Sequence, residues 1–338
     1  MDKLKSSAKL TDIARLANCS IATVSNAING QGRLSEKKRE EIMKLCKELN
    51  YLPNSAGRNL RMQRTDAIGL MFSPSFAKLF GNIFYARIME GLADTLNEEG
   101  FDIMLAHDLG EKMVPRIVRQ GRVDALMLLG AFEEGTLKQI TDCPLPVCLV
   151  DSHQAKLSVN SITSDGASGA TQVVDYLFEM GHSNVLMTAY GFPNYNIGER
   201  IKGFKAALRK RGIKKPEAHV MNKFDHNEEI LEWLLQRLKE PDAPTALFAI
   251  NDTMAIELIE GLTEAGHRVP EDVSIVGFDD DPISMTVTPH LTTVAVEKRN
   301  MGAGGARMIV EQLKDSSVEP RHEILPTRLV VRDSVARI

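Results

Sequence analysis

Past Arg64 the sequence alternates between short apolar runs and segments of helical periodicity, and this pattern restricts the fold more than any other feature. Ala67 to Phe72, Phe101 to Ala106, Ala125 to Leu129 and Val147 to Val150 are apolar runs of strand length. Phe84, Ile88, Leu92 and Leu96 fall four apart and Gly100 ends the pattern, which predicts a helix between the first two runs. A second set begins near Asp165. It holds a helix around Val173 to Met180, a strand at Val185 to Ala189 and a helix carrying Ile201, Phe204 and Leu208. Strands at Ala246 to Ile250 and Val273 to Phe278 follow, with a helix around Met254 to Leu262 between them. Such alternation implies parallel, doubly wound α/β sheets. Two sets imply two lobes, with a cleft where the carboxyl ends of the strands face each other.

A chain of 338 residues is too long for one ordinary domain, and its charge is unevenly shared. Residues 1–64 hold 13 Lys and Arg against 6 Asp and Glu, a net of +7; the remainder carries −11. A basic head on an acidic body suggests that the head meets a polyanion, although a solvated charged face gives the same totals. Four cysteines without a Cys-x-x-Cys form no disulfide framework and read as reduced packing residues. The polar first nine residues lack the apolar core of a signal peptide, and no run nears the ~18 apolar residues of a membrane span. The expectation is a cytoplasmic protein, neither secreted nor membrane-embedded.

Within the head, Leu10 to Ala17 reads as a short helix with Leu10, Ile13, Ala14 and Ala17 on one face. Asn18 tolerates the left-handed conformation of a tight turn, and Ser20 is a good N-cap. Ile21 to Ile28 reads as a second short helix with Val24, Ala27 and Ile28 inward, stopped by Asn29-Gly30. A third starts at the Ser35 cap and runs to about Asn50, with Ile42, Leu45, Cys46 and Leu49 inward. Two short helices joined by a tight turn and covered by a third form an all-α helix-turn-helix arrangement. In it the second helix enters the major groove, presenting Ser20, Ile21, Ala22, Ser25 and Asn26. Asn26 suits adenine, Ile21 and Ala22 suit a thymine methyl, and Thr23 and Asn29 suit phosphates.

The order Thr11-Asp-Ile-Ala, Ser20-Ile-Ala-Thr-Val-Ser25, Asn29-Gly30, Leu34-Ser35, Arg39, Leu49-Asn-Tyr51-Leu-Pro53-Asn54 and Arg58-Asn-Leu60-Arg61 resembles the lactose/galactose repressor (LacI/GalR) family. The match is nearly ungapped over some fifty residues. It implies a transcription regulator, most simply a repressor, with a DNA-binding domain at 1–52, a hinge helix and linker at 53–64 and an effector-binding and dimerisation domain at 65–338. Thr11, Asn54, Arg58, Leu60 and Arg61 join the DNA-contacting set by the same resemblance. Leu60 matches the leucine that wedges into the central base step beside its dimer mate, where extra contacts offset the cost of unstacking. Gly57 departs from the family's small non-glycine residue, and glycine costs a helix interior ~1 kcal/mol relative to alanine.

The body resembles the family's sensor domain, which is similar to periplasmic sugar-binding proteins. The landmarks are Asn82-Ile-Phe84-Tyr85, Asp165, Gly181-His182, Glu199-Arg200-Ile-Lys-Gly203-Phe204, Ile250-Asn251-Asp252, Val276-Gly-Phe-Asp279-Asp280 and Leu291-Thr-Thr293. By resemblance the chain crosses between lobes near 163, 292 and 321. Lobe one then takes about 65–163 and 293–320, and lobe two about 164–292 and 321–338. Asp165, Arg200, Asn251 and Asp279 match the polar effector-binding positions, and Ser73 matches a loop position facing the cleft. Their chemistry fits a polyol, because carboxylates accept from hydroxyls, Arg donates and Asn does both. Phe84, Tyr85 and Phe224 could stack on a sugar ring. The implied partners are a pseudo-palindromic double-stranded DNA operator, a small-molecule effector of sugar type and a second copy of the chain in a homodimer. A sugar phosphate or a purine also occurs as effector in the family.

Three features depart from the family pattern: an extra stretch at Pro74 to Gly81, a short second unit at Asp108 to Gln120, and Val296 in place of a polar residue. The glycine-rich Gly302 to Ala306 lies too near the C-terminus for a dinucleotide-binding unit and reads as a helix start. Asp279-Asp280-Asp281 lacks calcium-loop spacing, and the eight histidines form no metal-spaced cluster. No catalytic constellation stands out, so neither enzymatic activity nor a cofactor or metal is expected. A periplasmic binding protein and a Rossmann-type enzyme are the competing classes; residues 10–61 argue against both.

Overall fold

The computed structural model describes residues 9–28, 32–49, 51, 64–72, 81–106, 114–191, 194–224 and 226–338. The chain divides into two compact units, 1–64 and 65–338.

The first unit contains α1 (Leu10–Leu16), α2 (Ile21–Ile28) and α3 (Glu36–Glu48). The turn between α1 and α2 places Asn18 at φ 47°, the left-handed conformation that Asn tolerates. Ser20 caps α2: its hydroxyl accepts from the Thr23 N–H at 3.0 Å and lies 2.8 Å from the Thr23 hydroxyl. Ser35 caps α3 in the same way, from the Lys38 N–H. Lys38 then reaches back from α3, donating to the Ala17 carbonyl at 2.5 Å and pairing with Glu41 at 3.0 Å. One α1 carbonyl left over at the helix end is thereby satisfied. The inward stripes meet as the periodicity required. Ile13, Ala14, Ala17, Val24, Ala27, Ile42 and Cys46 are buried, with Leu10, Ile28, Leu45 and Leu49 packed against them. Full burial of Ile13, Val24 and Ile42 stabilises this small unit by about 1.5–3 kcal/mol each.

The second unit begins with β1 (Ala67–Phe72), α4 (Ile83–Glu98), β2 (Asp102–Ala106), α5 (Arg116–Arg119), β3 (Ala125–Leu129), α6 (Glu134–Thr141), β4 (Val147–Val150) and β5 (Asn160–Ser164). It continues with α7 (Gly166–Glu179), β6 (Val185–Thr188), α8 (Tyr195–Lys210), β7 (Val220–Met221), α9 (Asn227–Arg237), β8 (Ala246–Ala249), α10 (Asp252–Glu264) and β9 (Ser274–Val276). It ends with β10 (Thr293–Val296), α11 (Lys298–Lys314), β11 (His322–Leu325) and β12 (Thr327–Val330). Six strands form the first sheet in the order β11-β5-β4-β3-β1-β2, and four form the second in the order β7-β6-β8-β9. Every pairing in both sheets is parallel. The two-lobed α/β architecture expected from the alternation is thus present. β10 and β12 pair antiparallel, as two connections between the lobes lying side by side.

One expected boundary moves. The third crossing was placed near 321, but β11 extends the first sheet beside β5, so the chain leaves lobe one only after Leu325. Its polar residues hid it: His322 and Glu323 interrupt any apolar run. The Gly302 to Ala306 segment lies inside α11, one turn past its start, and not at the start itself. Its glycines serve packing. α11 lies along α4 so closely that a Cβ on Gly302 would overlap the Ile88 carbonyl, and one on Gly91 the Arg299 carbonyl.

Candidate functional site

Two surfaces hold the residues singled out by the sequence. On the first unit, Thr11 of α1 and Ser20, Ile21 and Ala22 at the start of α2 are exposed, while Thr23, Ser25 and Asn26 are half-buried. Ile21 is 49% exposed, a large apolar side chain presented by the first turn of a helix. The amino end of α2 also carries the partial positive charge of its unpaired N–H groups. The Thr23 hydroxyl is engaged with Ser20, so both belong to the cap. Asn26 packs over Gly32, whose φ of +77° and lack of a Cβ leave room for that amide. Asn29, Asn54, Gly57, Arg58, Leu60 and Arg61 lie outside the described residues, as does Ser73.

In the second unit the sites lie at strand ends and helix starts. Arg200 of α8 is buried. It donates to Asp279 Oδ1 at 3.0 Å and to the Ile250 carbonyl, and its guanidinium sits 3.7 Å from the centre of the Phe278 ring. Asp279 follows β9 with φ at 117°, a sparsely populated conformation of the kind that clusters at functional sites. Burial raises its carboxyl, with Arg200 opposing.

Opposite, Asp151 follows β4 with φ at 59°. Its carboxylate accepts from Asn196 Nδ2 at 2.8 Å and from the Tyr85 hydroxyl at 3.3 Å. Tyr85 lies on α4 of lobe one and Asn196 on α8 of lobe two, so Asp151 ties the lobes together. Burial pushes the Asp151 carboxyl up to about 7, and holds the Tyr85 phenol well above its usual range. The charges of Asp279 and Arg200 also act on Tyr85, which places the two groups around one cleft. Lys298, at the start of α11, donates to the Asp279 and Asp280 carbonyls, pairs with Asp281 at 3.2 Å and lies 5.6 Å from the Phe84 ring centre.

The other expected residues are engaged as follows. Asn251 caps α10 through its side-chain oxygen, accepting from the Met254 N–H at 2.9 Å. Tyr190, after β6, bonds to Asn251 and Asn227. Asp165 caps α7, accepting from the Ser168 N–H at 2.8 Å, and sits where β5 hands over to lobe two. Phe84 is buried, and Tyr85 meets Phe72 and Phe84 edge-on at 4.8 and 5.3 Å. Phe224 is half-buried and lines an open depression with Glu229, Trp233 and Lys239 of the α9 side.

Asp151, Asn196, Tyr190 and Lys298 were missed. Asp151 was legible, because it follows an apolar run as Asp279 does. Asn196 and Lys298 carried no signal, since their partners are set by how the lobes meet. Among the described residues, no group of three His, Cys, Asp or Glu side chains is placed to hold a metal ion. Nor is any helix among them long and apolar enough to cross a membrane. The cleft is lined by carboxylates, amides and hydroxyls, which is hydrogen-bonding chemistry for a small polar ligand.

Comparison with known proteins agrees with both surfaces. Residues 9–54 match the family model "Bacterial regulatory proteins, lacI family", and residues 174–335 match "Periplasmic binding protein-like domain". The regulator CelR of Thermobifida fusca is 32% identical, with 95% of this chain and 96% of CelR covered. The repressor PurR of Vibrio vulnificus is 28% identical, over 98% and 99%. Among solved structures, a CelR–cellobiose complex superposes with a TM-score of 0.71 at 29% identity, covering 97% of this chain and 99% of that one. A Lac repressor dimer bound to operator shares the fold, with a TM-score of 0.81 at 23% identity over 98% and 100%. A reading helix, a two-lobed body and relatives named as transcription regulators converge: the chain belongs to the LacI family of bacterial regulatory proteins, and it is a DNA-binding regulator, not an enzyme.

Proposed function

We propose that the chain is a homodimeric, cytoplasmic repressor whose affinity for a pseudo-palindromic operator is set by a small molecule bound between the lobes of residues 65–338. The observation that carries this is the bond from Asn196 of lobe two to Asp151 of lobe one, beside the buried Arg200–Asp279 pair. A ligand touching both lobes favours their closed arrangement by its differential affinity for it. The cellobiose complex of CelR supports a sugar as the ligand class. The exposed start of α2, with Ile21, Ala22 and Asn26, reads base edges; residues 53–64 form the hinge that turns lobe closure into a change in DNA affinity.

Selection of random duplexes by the full-length protein tests the reading. Enrichment of two inverted half-sites is expected, because two-fold symmetry in the protein requires it in the DNA. Enrichment of a single asymmetric site, or of no sequence, contradicts it. Light scattering of the selected complex should give two chains per duplex.

A further inference from the structure

The cleft's charges narrow the ligand further. Among the described residues, the buried carboxylates are Asp151, Asp252, Asp279 and Asp281, and the buried basic side chains are Arg200 and Lys298. Acid outnumbers base two to one, and neither base is unspent. Arg200 gives one nitrogen to Asp279 and another to the Ile250 carbonyl, with its face on Phe278. Lys298 pairs with Asp281 and donates to two backbone carbonyls. The other two acids are held by neutral donors. Asp252 accepts from the Thr293 hydroxyl and the Asp281 N–H. Asp151 accepts from the Tyr85 hydroxyl and the Asn196 amide.

From this distribution we infer that the effector is an uncharged, hydroxyl-rich compound, a free sugar carrying neither phosphate nor carboxylate. The inference rests on the effector reading above and concerns only the ligand's charge and donor groups. A phosphate or carboxylate entering the cleft would need a cation to replace its hydration, and both buried cations are committed. Taking Arg200 or Lys298 would strand Asp279 or Asp281 as an unpaired buried charge. A hydroxyl faces no such conflict, because it can replace the Tyr85 or Asn196 donor on Asp151 like for like. The raised Asp151 carboxyl agrees with an excess of negative charge here.

The test uses full-length protein and matched probes at pH 7.5, with binding measured by calorimetry. The set is glucose, ribose and cellobiose, then glucose 6-phosphate, ribose 5-phosphate and gluconate, with glucosamine and hypoxanthine as further comparators. At least one free sugar is expected to bind, with its phosphorylated or oxidised counterpart at least 50-fold weaker. Asp151→Asn should weaken that sugar at least tenfold and narrow the gap to its phosphate, since one acceptor and one negative charge go together. A phosphate or acid binding within fivefold of its parent sugar, or glucosamine or hypoxanthine binding better than every sugar, overturns the inference while leaving the effector cleft standing. Binding of none of the probes counts against the effector reading itself.

Discussion

The reading face of the first unit and the cleft of the second use polar side chains in opposite ways. At the start of α2, Ser20, Ile21 and Ala22 are exposed and their hydrogen bonds are local, between residues three apart. In the cleft, Arg200, Asp279, Asp151 and Lys298 are buried and bonded to residues 19 to 79 positions away. Exposed groups with local caps leave the fold indifferent to their replacement, so that surface can change what it reads at little cost in stability. Buried, long-range pairs hold the structure and the ligand site together. A change there alters stability and response at once.

The sharpest way to break this contrast is Arg200→Ala. It leaves Asp279 buried without its cation and removes the guanidinium from Phe278. Breaking such a pair should destabilise the 65–338 unit by about 3–5 kcal/mol. Urea unfolding of the full-length variant measures it, and a loss under 1 kcal/mol would mean that water already solvates the pair. The residue is therefore a poor probe of effector response alone. Asp151→Asn, similar in size and hydrogen-bonding, is the better one.

The opposite arm is the Ile21→Ala and Asn26→Ala pair. Their effect should fall on DNA choice, at about 1–3 kcal/mol per lost base contact. The Ile21→Ala change alone should move unfolding by less than about 0.5 kcal/mol, as for exposed sites generally. Repeating the duplex selection with the double variant checks it; recovery of the wild-type operator would remove α2 from the major groove. Gly302→Ala separates packing from both surfaces. The added methyl meets the Ile88 carbonyl, and forcing the helices apart should cost about 1–3 kcal/mol without changing operator preference.

Acid provides the smallest expected effect, with two opposing parts. His322 is stacked on His153 at 3.8 Å, and burial together with that neighbour lowers it to about 4. Its contribution is present above pH 6.5 and lost as pH falls toward 4, because the folded state resists charging it. Asp151 works in the other direction. Raised to about 7, it adds stability as pH falls from 7 toward 4. His322→Gln should thus flatten the loss of melting temperature below pH 6.5, and Asp151→Asn should steepen it. Parallel pH profiles for both variants and the wild type would show that these groups are not the ones titrating.

Much of this was legible in the sequence because apolar periodicity and cap residues act locally. β1, β3 and β4 coincide with their apolar runs, and Asn18, Ser20 and Ser35 form the turn and caps that their chemistry suits. β5 escaped notice. Asn-Ser-Ile-Thr-Ser reads as a loop, yet all five residues are buried. Their polar groups find partners from distant segments: Asn160 with Gln312, Ser161 with His153, Thr163 with His322. α11 also escaped, since five residues with three glycines look like a loop until α4 is laid against them. At the cleft, position at a strand end singled out Asp279 but was not applied to Asp151. Asn196 and Lys298 required knowing which lobe faces which. The hinge around Gly57 and Leu60 lies outside the described residues, so its role rests on the family pattern.

The central claim is that occupancy of the cleft changes affinity for DNA. It is tested most directly by titrating full-length protein onto its selected operator, followed by fluorescence anisotropy, with and without a saturating sugar already shown to bind. A coupling of about 1–3 kcal/mol should change the operator dissociation constant by about 5–150-fold. Equal constants in the two titrations, with the sugar verified as bound, would contradict it.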